Sequence, residues 1–293
     1  MSGPLMLAHL LLERQSRRPE LPRIPEPALV MDDLAQNAAF ALAGREDGSL
    51  AFLYLYHALQ ITPLLCPGDQ VLDLGCGPAN QLAQIARLNP EARFTGLDAS
   101  RQMLERAEET VARCQLANIA LQAGDMTTLN GFADAAFDGV ISTMSLHHLP
   151  DFAALAAAMR AAQRVLKPGG SLYLVDFGRF KRAATQRFFA ADRSDNQPEA
   201  LRRDYFNSMQ AAFSVAELRQ ATAVFGGGIA CYTTALAPFM VVIKSSERRS
   251  PDDAVRQTGR AMYAQMSAAL QKDFRLYTRW FQSGGLTLPF RLY

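Results

Sequence analysis

The sequence predicts an α/β protein built on a mostly parallel sheet, and three observations lead there. From Gly68 onward, short apolar runs alternate with amphipathic helical stretches: QVLDLG, ANQLAQIARL, RFTGLD, SRQMLERAEETVARC and NIALQAG follow one another. Parallel strands joined by crossover helices require that alternation. Several of the runs end on glycine or aspartate, the residue types of turns and ligand-facing strand ends. The flanking segments follow a different pattern, which divides the chain into an N-terminal helical cap (1–66), a sheet domain (67–244) and a C-terminal helical and aromatic extension (245–293).

In the cap, helical segments are expected near 4–17, 29–43 and 49–63, separated by the proline-rich PELPRIPEP and by Gly44 and Gly48. The apolar run Pro4 to Leu12 is too short to span a bilayer and is followed by Glu13, Arg14, Arg17 and Arg18, so it reads as a buried or amphipathic helix. After NIALQAG come the strand FDGVIS and a helix whose apolar positions Phe152, Leu155, Ala156, Met159, Ala162, Val165 and Leu166 keep the helical period. That helix is expected to stop at KPGG, before the strand SLYLVDF. FSVAELRQATAVFG reads as a helix with Ser214 and Glu217 spaced as a capping box, and IACYTTA and FMVVIK as two further strands. A helix near 252–272 and the aromatic tail RLYTRWFQSGGLTLPFRLY complete the chain.

Bulk properties exclude several functions. The 293 residues carry 30 basic and 28 acidic side chains, a formal net charge of +2, which leaves no excess charge to attract a nucleic acid. The four cysteines, Cys66, Cys76, Cys114 and Cys231, form no C-x-x-C pair, so neither a metal site nor a disulfide framework is expected and a reducing cytoplasm fits.

The chemistry concentrates in VLDLGCGPAN, where a strand turns through Gly75 and Gly77 into a helix. Glycines suit a sharp bend that a ligand approaches closely. Asn80 occupies the place of a third glycine, and the acidic Asp73 precedes the first. A pyrophosphate would disfavour that carboxylate, whereas an ammonium or sulfonium would attract it. Asp98 ends RFTGLD about twenty residues beyond the turn, the spacing at which an acid takes both hydroxyls of a ribose. Asp125 closes the next strand and can accept from an adenine amino group while Met126 packs on the ring. Together these three strand ends describe an adenosine site, although any one alone reads as a solvated strand end or helix cap.

VLDLGCGPAN, GLDAS with Met103 and Leu104 after it, AGDM, FDGVISTMSLHHLPD and RVLKPGGSLYLVDF resemble the successive motifs of class I S-adenosylmethionine (SAM)-dependent methyltransferases. The resemblance is close over about residues 68–177 and weaker to about 244, and its flavour is that of the small-molecule branch, similar to ubiquinone/menaquinone-type methyltransferases. It implies a doubly wound, mostly parallel seven-stranded Rossmann-like sheet with a reversed last hairpin. It also implies SAM as cofactor, with Asp73, Gly75 and Gly77 as the methionine-side loop, Asp98 as the ribose clamp, Ala99 and Met103 as further cofactor contacts, Asp125 and Met126 at the adenine, and Thr143 near the amino group. Ala79 and Asn80 depart from the commoner residues after the turn. The expected reaction is methyl transfer by in-line displacement to a small organic molecule, whether at O, N or C. Neither nucleic acid nor stable membrane insertion is expected, and self-association is left open.

STMSLHHLPD follows the fourth strand, where a doubly wound sheet opens its crevice, so His147 or His148 can serve as a base. Methyl transfer gains most from alignment, which makes an orienting role the competing expectation. Arg179, with Lys181, and the stretch holding Asp204, Tyr205, Asn207 and Ser208 are substrate-pocket candidates, with a surface helix as the alternative; Gln36, Tyr54 and His57 are further candidates in the cap. A nicotinamide oxidoreductase predicts a third glycine near position 80, and adenine-type base methylation predicts an N/D-P-P-Y/F element where this chain has STMSLHHL. A SAM-binding or regulatory subunit without transfer activity remains the alternative of a different class.

Overall fold

A computed structural model describes residues 3–27, 34–191 and 199–293. Seven strands form one sheet: β1 (Gln70–Leu74), β2 (Arg93–Asp98), β3 (Ile119–Ala123), β4 (Phe137–Thr143), β5 (Leu166–Phe177), β6 (Ile229–Thr233) and β7 (Met240–Ser245). Their order is β3-β2-β1-β4-β5-β7-β6. The pairs from β3 through to β5 are parallel, while β7 runs antiparallel to both β5 and β6, so the expected final hairpin is present with β7 as the reversed strand.

The sheet is covered on both faces because its strands carry apolar residues at successive positions. Val71, Ile141, Tyr173 and Val242 join one buried cluster. Their neighbours Leu72, Val140, Leu174 and Val241 join the other. With a side-chain period of two, each strand is thus apolar toward both layers, as fully buried parallel strands must be. Helices α4 (Asn80–Leu88) and α5 (Arg101–Arg113) contribute to the first layer, and α6 (Phe152–Val165) and α9 (Val215–Thr222) to the second. Ser100 and Asp151 cap α5 and α6, and Ser214 with Glu217 forms the expected capping box on α9.

The first layer is completed from outside the sheet domain. Among α1 (Gly3–Gln15), α2 (Leu34–Ala43) and α3 (Ala51–Ile61), α3 is apolar all round and buried at every position. It packs against α4 and against α10 (Asp253–Gln265) and α11 (Ala268–Ser283) of the C-terminal extension. The expected helix over 29–43 is present from Leu34; positions 29–33 and the side chain of Gln36 lie outside the described residues. No helix among the described residues is long and apolar enough to cross a membrane.

Three expectations are corrected. KPGG ends α6 but does not separate it from the next strand: β5 begins at Leu166 and absorbs the glycines in a register shift, pairing Phe137 with Leu166 and then Gly139 with Ser171. The C-terminal helix is two helices, because Ser267 caps a new one at Leu270 N, and the first part of the aromatic tail, 275–283, lies in α11. The 202–214 stretch lies mostly in α8 (Glu199–Ala211), which follows α7 (Ala183–Ala191).

Between α1 and α2, the proline-rich segment is an extended strap. Proline removes donors and forbids helix, and the remaining polar groups tie the strap down: Leu21 N donates to Phe180 O and Ile24 N to Gln210 O. Arg23 is its anchor. Its guanidinium stacks 4.1 Å over Phe213 and donates to the carbonyls of Ala211 (2.7 Å), His147 (2.9 Å), Leu149 (2.5 Å) and Pro150 (2.5 Å). Charged hydrogen bonds to half-buried acceptors are worth about 1.5–3 kcal/mol each but do not add. Arg23→Ala is therefore expected to lower unfolding free energy by about 2–3 kcal/mol and to expose the strap to limited proteolysis. Arg17→Ala, at an exposed position, should do neither; both effects are read by denaturant titration and by mapping the first cleavage sites.

Candidate active site

The carboxyl ends of β1, β2 and β4 meet where the strand order reverses, the place at which an open parallel sheet presents its crevice. A large cavity opens there, and its wall includes Gly75, Gly77, Asp98, Ala99, Met103, Met126, Thr143, His147 and His148. Two glycines shape the floor. Gly75 has φ +71°, and a Cβ on it would sit 2.5 Å from Cβ of Ser145, so neither its backbone conformation nor its surroundings accept a side chain. Gly77 has φ +52°, and a Cβ there would meet only Phe40, 3.9 Å away.

Asp98 holds this floor in shape. One carboxylate oxygen accepts from Gly77 N at 2.8 Å and the other from Ser100 N at 2.9 Å. Burial pushes its carboxyl above the usual range, against these amide bonds. Asp73 lies beneath the turn, 1 % exposed, with Oδ1 lacking a hydrogen-bond partner among the described residues. Burial, followed by the charge of Asp98, pushes its carboxyl up to about 8. An orphaned buried carboxylate beside a second one fits a cationic ligand bound at the turn, which is what the cofactor's ammonium and sulfonium supply.

Asp125 is placed differently from the expectation. Its side chain is exposed and not on the cavity wall, and Oδ1 accepts from the backbone N (2.7 Å) and hydroxyl (2.8 Å) of Thr127, a local turn cap. Met126 alone of that pair reaches the cavity.

The opposite end of the cavity is aromatic. Phe177 closes β5, Phe239 precedes β7, Phe189 and Tyr205 come from α7 and α8, and Tyr277 and Trp280 come from α11. Phe189, Phe239 and Trp280 form a stack with centroid separations of 4.8, 5.2 and 5.6 Å. Of the substrate candidates, Tyr205, Asp204 and Ser208 are on the cavity wall, and so is Tyr54, whose hydroxyl feels the charge of Asp73 at the other end. Arg179 does not: its guanidinium donates to Ala212 O (3.0 Å) and Glu217 Oε2 (2.8 Å), bracing the start of α9. Asn207 also lies off the wall, since Tyr205 and Ser208 are the neighbours on α8 that reach it. His57 is structural. It is fully buried between the hydroxyls of Tyr173 (2.6 Å) and Tyr277 (2.8 Å), and burial pushes its imidazole down to about 3, so it is neutral.

The histidine pair lies at the junction of the two ends, on a 3₁₀ turn over Leu146–His148. Nδ1 of His147 is 2.6 Å from Oδ1 of Asp176, whose other oxygen accepts from His147 N at 3.0 Å. Burial opposes charge on this imidazole, but Asp176, Glu26 and Asp204 outweigh it and raise its pKa. Burial, followed by the charge of His147, pushes His148 down to about 3. Glu26 reaches the pair from the strap and accepts from Ser208 Oγ at 2.9 Å; burial raises its carboxyl. Sequence reasoning singles out neither Glu26 nor Asp176. Glu26 stands among prolines in an apparent linker, and Asp176 has the pattern of a residue closing an apolar strand.

Residues 71–170 match the family model described as a methyltransferase domain. The segment is 38 % identical over 110 residues to a demethylmenaquinone methyltransferase of Listeria monocytogenes, covering 37 % of this chain and 45 % of that protein. It is 36 % identical over 111 residues to the 27-O-demethylrifamycin SV methyltransferase of Amycolatopsis mediterranei, covering 38 % and 39 %. The chain thus matches less than half the length of these curated relatives. The crystal structure of a SAM-dependent methyltransferase from Aquifex aeolicus shares the fold at a TM-score of 0.51 and 16 % identity, covering 73 % of this chain and 98 % of that one. An O-methyltransferase family protein from Burkholderia thailandensis does so at 0.52 and 16 %, covering 75 % and 62 %. Residues 71–170 thus match a methyltransferase domain, and the seven-stranded sheet around them has the fold of SAM-dependent methyltransferases.

Proposed function

We propose that the protein transfers a methyl group from SAM to a small, largely apolar, ring-containing acceptor. The observation that carries this reading is one continuous cavity with a glycine and aspartate floor at one end and the Phe189, Phe239 and Trp280 stack at the other. Stacked aromatic walls favour a flat ligand face. Among the described residues the cavity wall carries no lysine or arginine, which supports an acceptor without phosphate or carboxylate. In this reading Asp98 takes the ribose hydroxyls, Met103 and Met126 flank the adenosine, and Asp73 provides the negative field beneath the methionine end.

The cofactor supplies a methyl on a positively charged sulfur, a leaving group that needs no acid. The protein's part is alignment and exclusion of water. The strap and α3 cover the site from the N-terminal side, α11 from the C-terminal side, so residues 1–66 and 245–293 act as cap and acceptor wall rather than as separate domains. His147, fixed by Asp176, orients the acceptor's reacting atom.

Incubating the protein with SAM and a panel of hydrophobic phenols, quinols and aryl amines should yield S-adenosylhomocysteine in step with a methylated acceptor. Product formation only with acidic or phosphorylated acceptors would overturn the proposed acceptor class. Asp98→Ala removes a charged acceptor and should weaken SAM binding about 10- to 150-fold, the equivalent of about 1.5–3 kcal/mol. Asp98→Asn, which can still accept from Gly77 N, should fall between the two in calorimetry.

The field of Asp73 gives a pH signature. Its carboxyl is raised to about 8 without ligand, and a cation bound nearby favours ionisation, so binding releases a proton below that pH. Affinity should therefore rise between about pH 6 and 7.5, by at most tenfold per unit. Calorimetry in buffers of different ionisation enthalpy should register the released proton. The ligand-free protein shows the opposite trend: a raised folded-state pKa means stability is lost as pH climbs from the ordinary carboxyl range toward 8. Asp73→Asn should flatten both dependences; an unchanged slope in that variant would assign the proton elsewhere.

A further inference from the structure

We infer that Glu26, His147 and His148 form a divalent transition-metal site at the junction of the two ends of the cavity. One ligand-type atom from each lies within 4.8 Å of the other two. Such a site goes beyond methyl transfer and does not require it.

The three groups leave donor atoms unused. Glu26 makes one side-chain hydrogen bond, from Ser208 to Oε1, which leaves Oε2 available. His147 uses Nδ1 on Asp176, which leaves Nε2. The ring of His148 makes no hydrogen bond among the described residues, although it stands 4.4 Å from the His147 ring. Three lone-pair donors thus converge without bonding one another. The carboxylates of Asp176 and Glu26 favour a positive charge here, carried by the His147 imidazolium or, once its proton leaves, by a metal ion.

The groups behind these donors hold them in place. A carboxylate on the far nitrogen of a ligating histidine fixes the tautomer and turns the free nitrogen toward the metal, and Asp176 grips His147 at both ring and backbone. Glu26 belongs to a segment remote in sequence. Arg23, three residues earlier, hydrogen-bonds the carbonyls of His147, Leu149 and Pro150 and so fastens the strap to the histidine turn. The guanidinium also neutralises those carbonyls, leaving the imidazoles and the carboxylate as the donor set.

Two imidazoles and one carboxylate suit zinc, cobalt(II), iron(II) or manganese(II) better than calcium or magnesium, which prefer all-oxygen shells. Three protein ligands leave coordination positions open, and His147 and His148 both face the cavity. An oxygen or nitrogen of a small molecule in the aromatic end is the fitting occupant of such a position.

The test uses the full chain, stripped with a chelator and titrated with cobalt(II) in the absence of SAM. One equivalent should bind and develop visible d–d absorption, and zinc should displace it. Glu26→Gln and His148→Ala should each weaken cobalt binding about tenfold or more, with the circular dichroism spectrum and thermal unfolding midpoint of the metal-free protein preserved as evidence of folding. Asp176→Asn should weaken it less while shifting the absorption bands. Absence of saturable binding, equal binding in the ligand variants, or a thiolate-to-cobalt band marking a cysteine as the ligand would overturn the site. Because the readout needs neither cofactor nor turnover, its failure leaves the methyltransferase reading untouched, and failure of that reading leaves the metal test valid.

Discussion

The close approach of the Ser145 side chain to the Gly75 backbone is the constraint on which the site depends. Ser145 Oγ donates to Leu74 O at 2.7 Å and lies against Ser142 Oγ at 2.6 Å, pinning the loop after β4 to the end of β1. No side chain fits between the two loops at Gly75. The strand order forces these loops to diverge beyond this point, because the chain passes from β1 outward to β2 and β3 and returns on the other side at β4. One close approach therefore sets three things: the bend of the glycine turn, the opening of the crevice, and the placement of His147 two residues beyond Ser145. A rearrangement of either loop would move the cofactor floor and the histidine turn together.

Charge burial is the second organising feature, and the structure treats different groups differently. His57 is neutral and saturated by two tyrosine hydroxyls, so it joins α3, β5 and α11 at little electrostatic cost. Lys244, whose burial lowers its pKa, is still met by Glu247 and Gln60. Asp69 is clasped by Arg248. Asp73 differs: it is equally buried, and one of its oxygens has no partner among the described residues. Asp73 shares this state with Glu13 Oε2 among the described residues, but it alone of the two lies beneath the glycine turn, where a bound cation compensates for it.

What is legible in the sequence follows from the range of the interactions involved. The sheet, the glycine turn and the place of Asp98 at a strand end can be read because each depends on a short stretch of alternating or glycine-bearing sequence. Asp125 fits the adenine position by spacing, but Thr127 two residues away offers it a local turn, and that short-range alternative wins. Arg179 follows a strand end that points toward the pocket; Glu217 and the Ala212 carbonyl claim its guanidinium instead. Glu26 and Asp176 cannot be picked out because their partners lie on remote segments. Trp280 and Tyr277 are hidden differently: unless Ser267 is recognised as a cap, the aromatic tail has no helical register, and the face that meets the cavity cannot be identified.

The two halves of the cavity have different origins in the chain. The cofactor floor falls between Gly75 and His148, inside the segment that matches other methyltransferases. Of the aromatic end, Phe177, Phe189, Tyr205, Phe239, Tyr277 and Trp280 all lie outside it, as does Glu26. Similarity over 71–170 therefore speaks for the donor side of the reaction and is silent about the acceptor. Two relatives whose names point to a menaquinone precursor and a rifamycin derivative match over nearly the same share of this chain, which is the pattern expected when a common donor module is combined with different acceptor walls. The proposed reaction would therefore take its acceptor specificity from α7, α8 and α11, elements held in place by His57 and by the Phe189–Phe239–Trp280 stack. In that reading, substitutions there would alter the acceptor wall without touching the glycine and aspartate floor on which the donor is held.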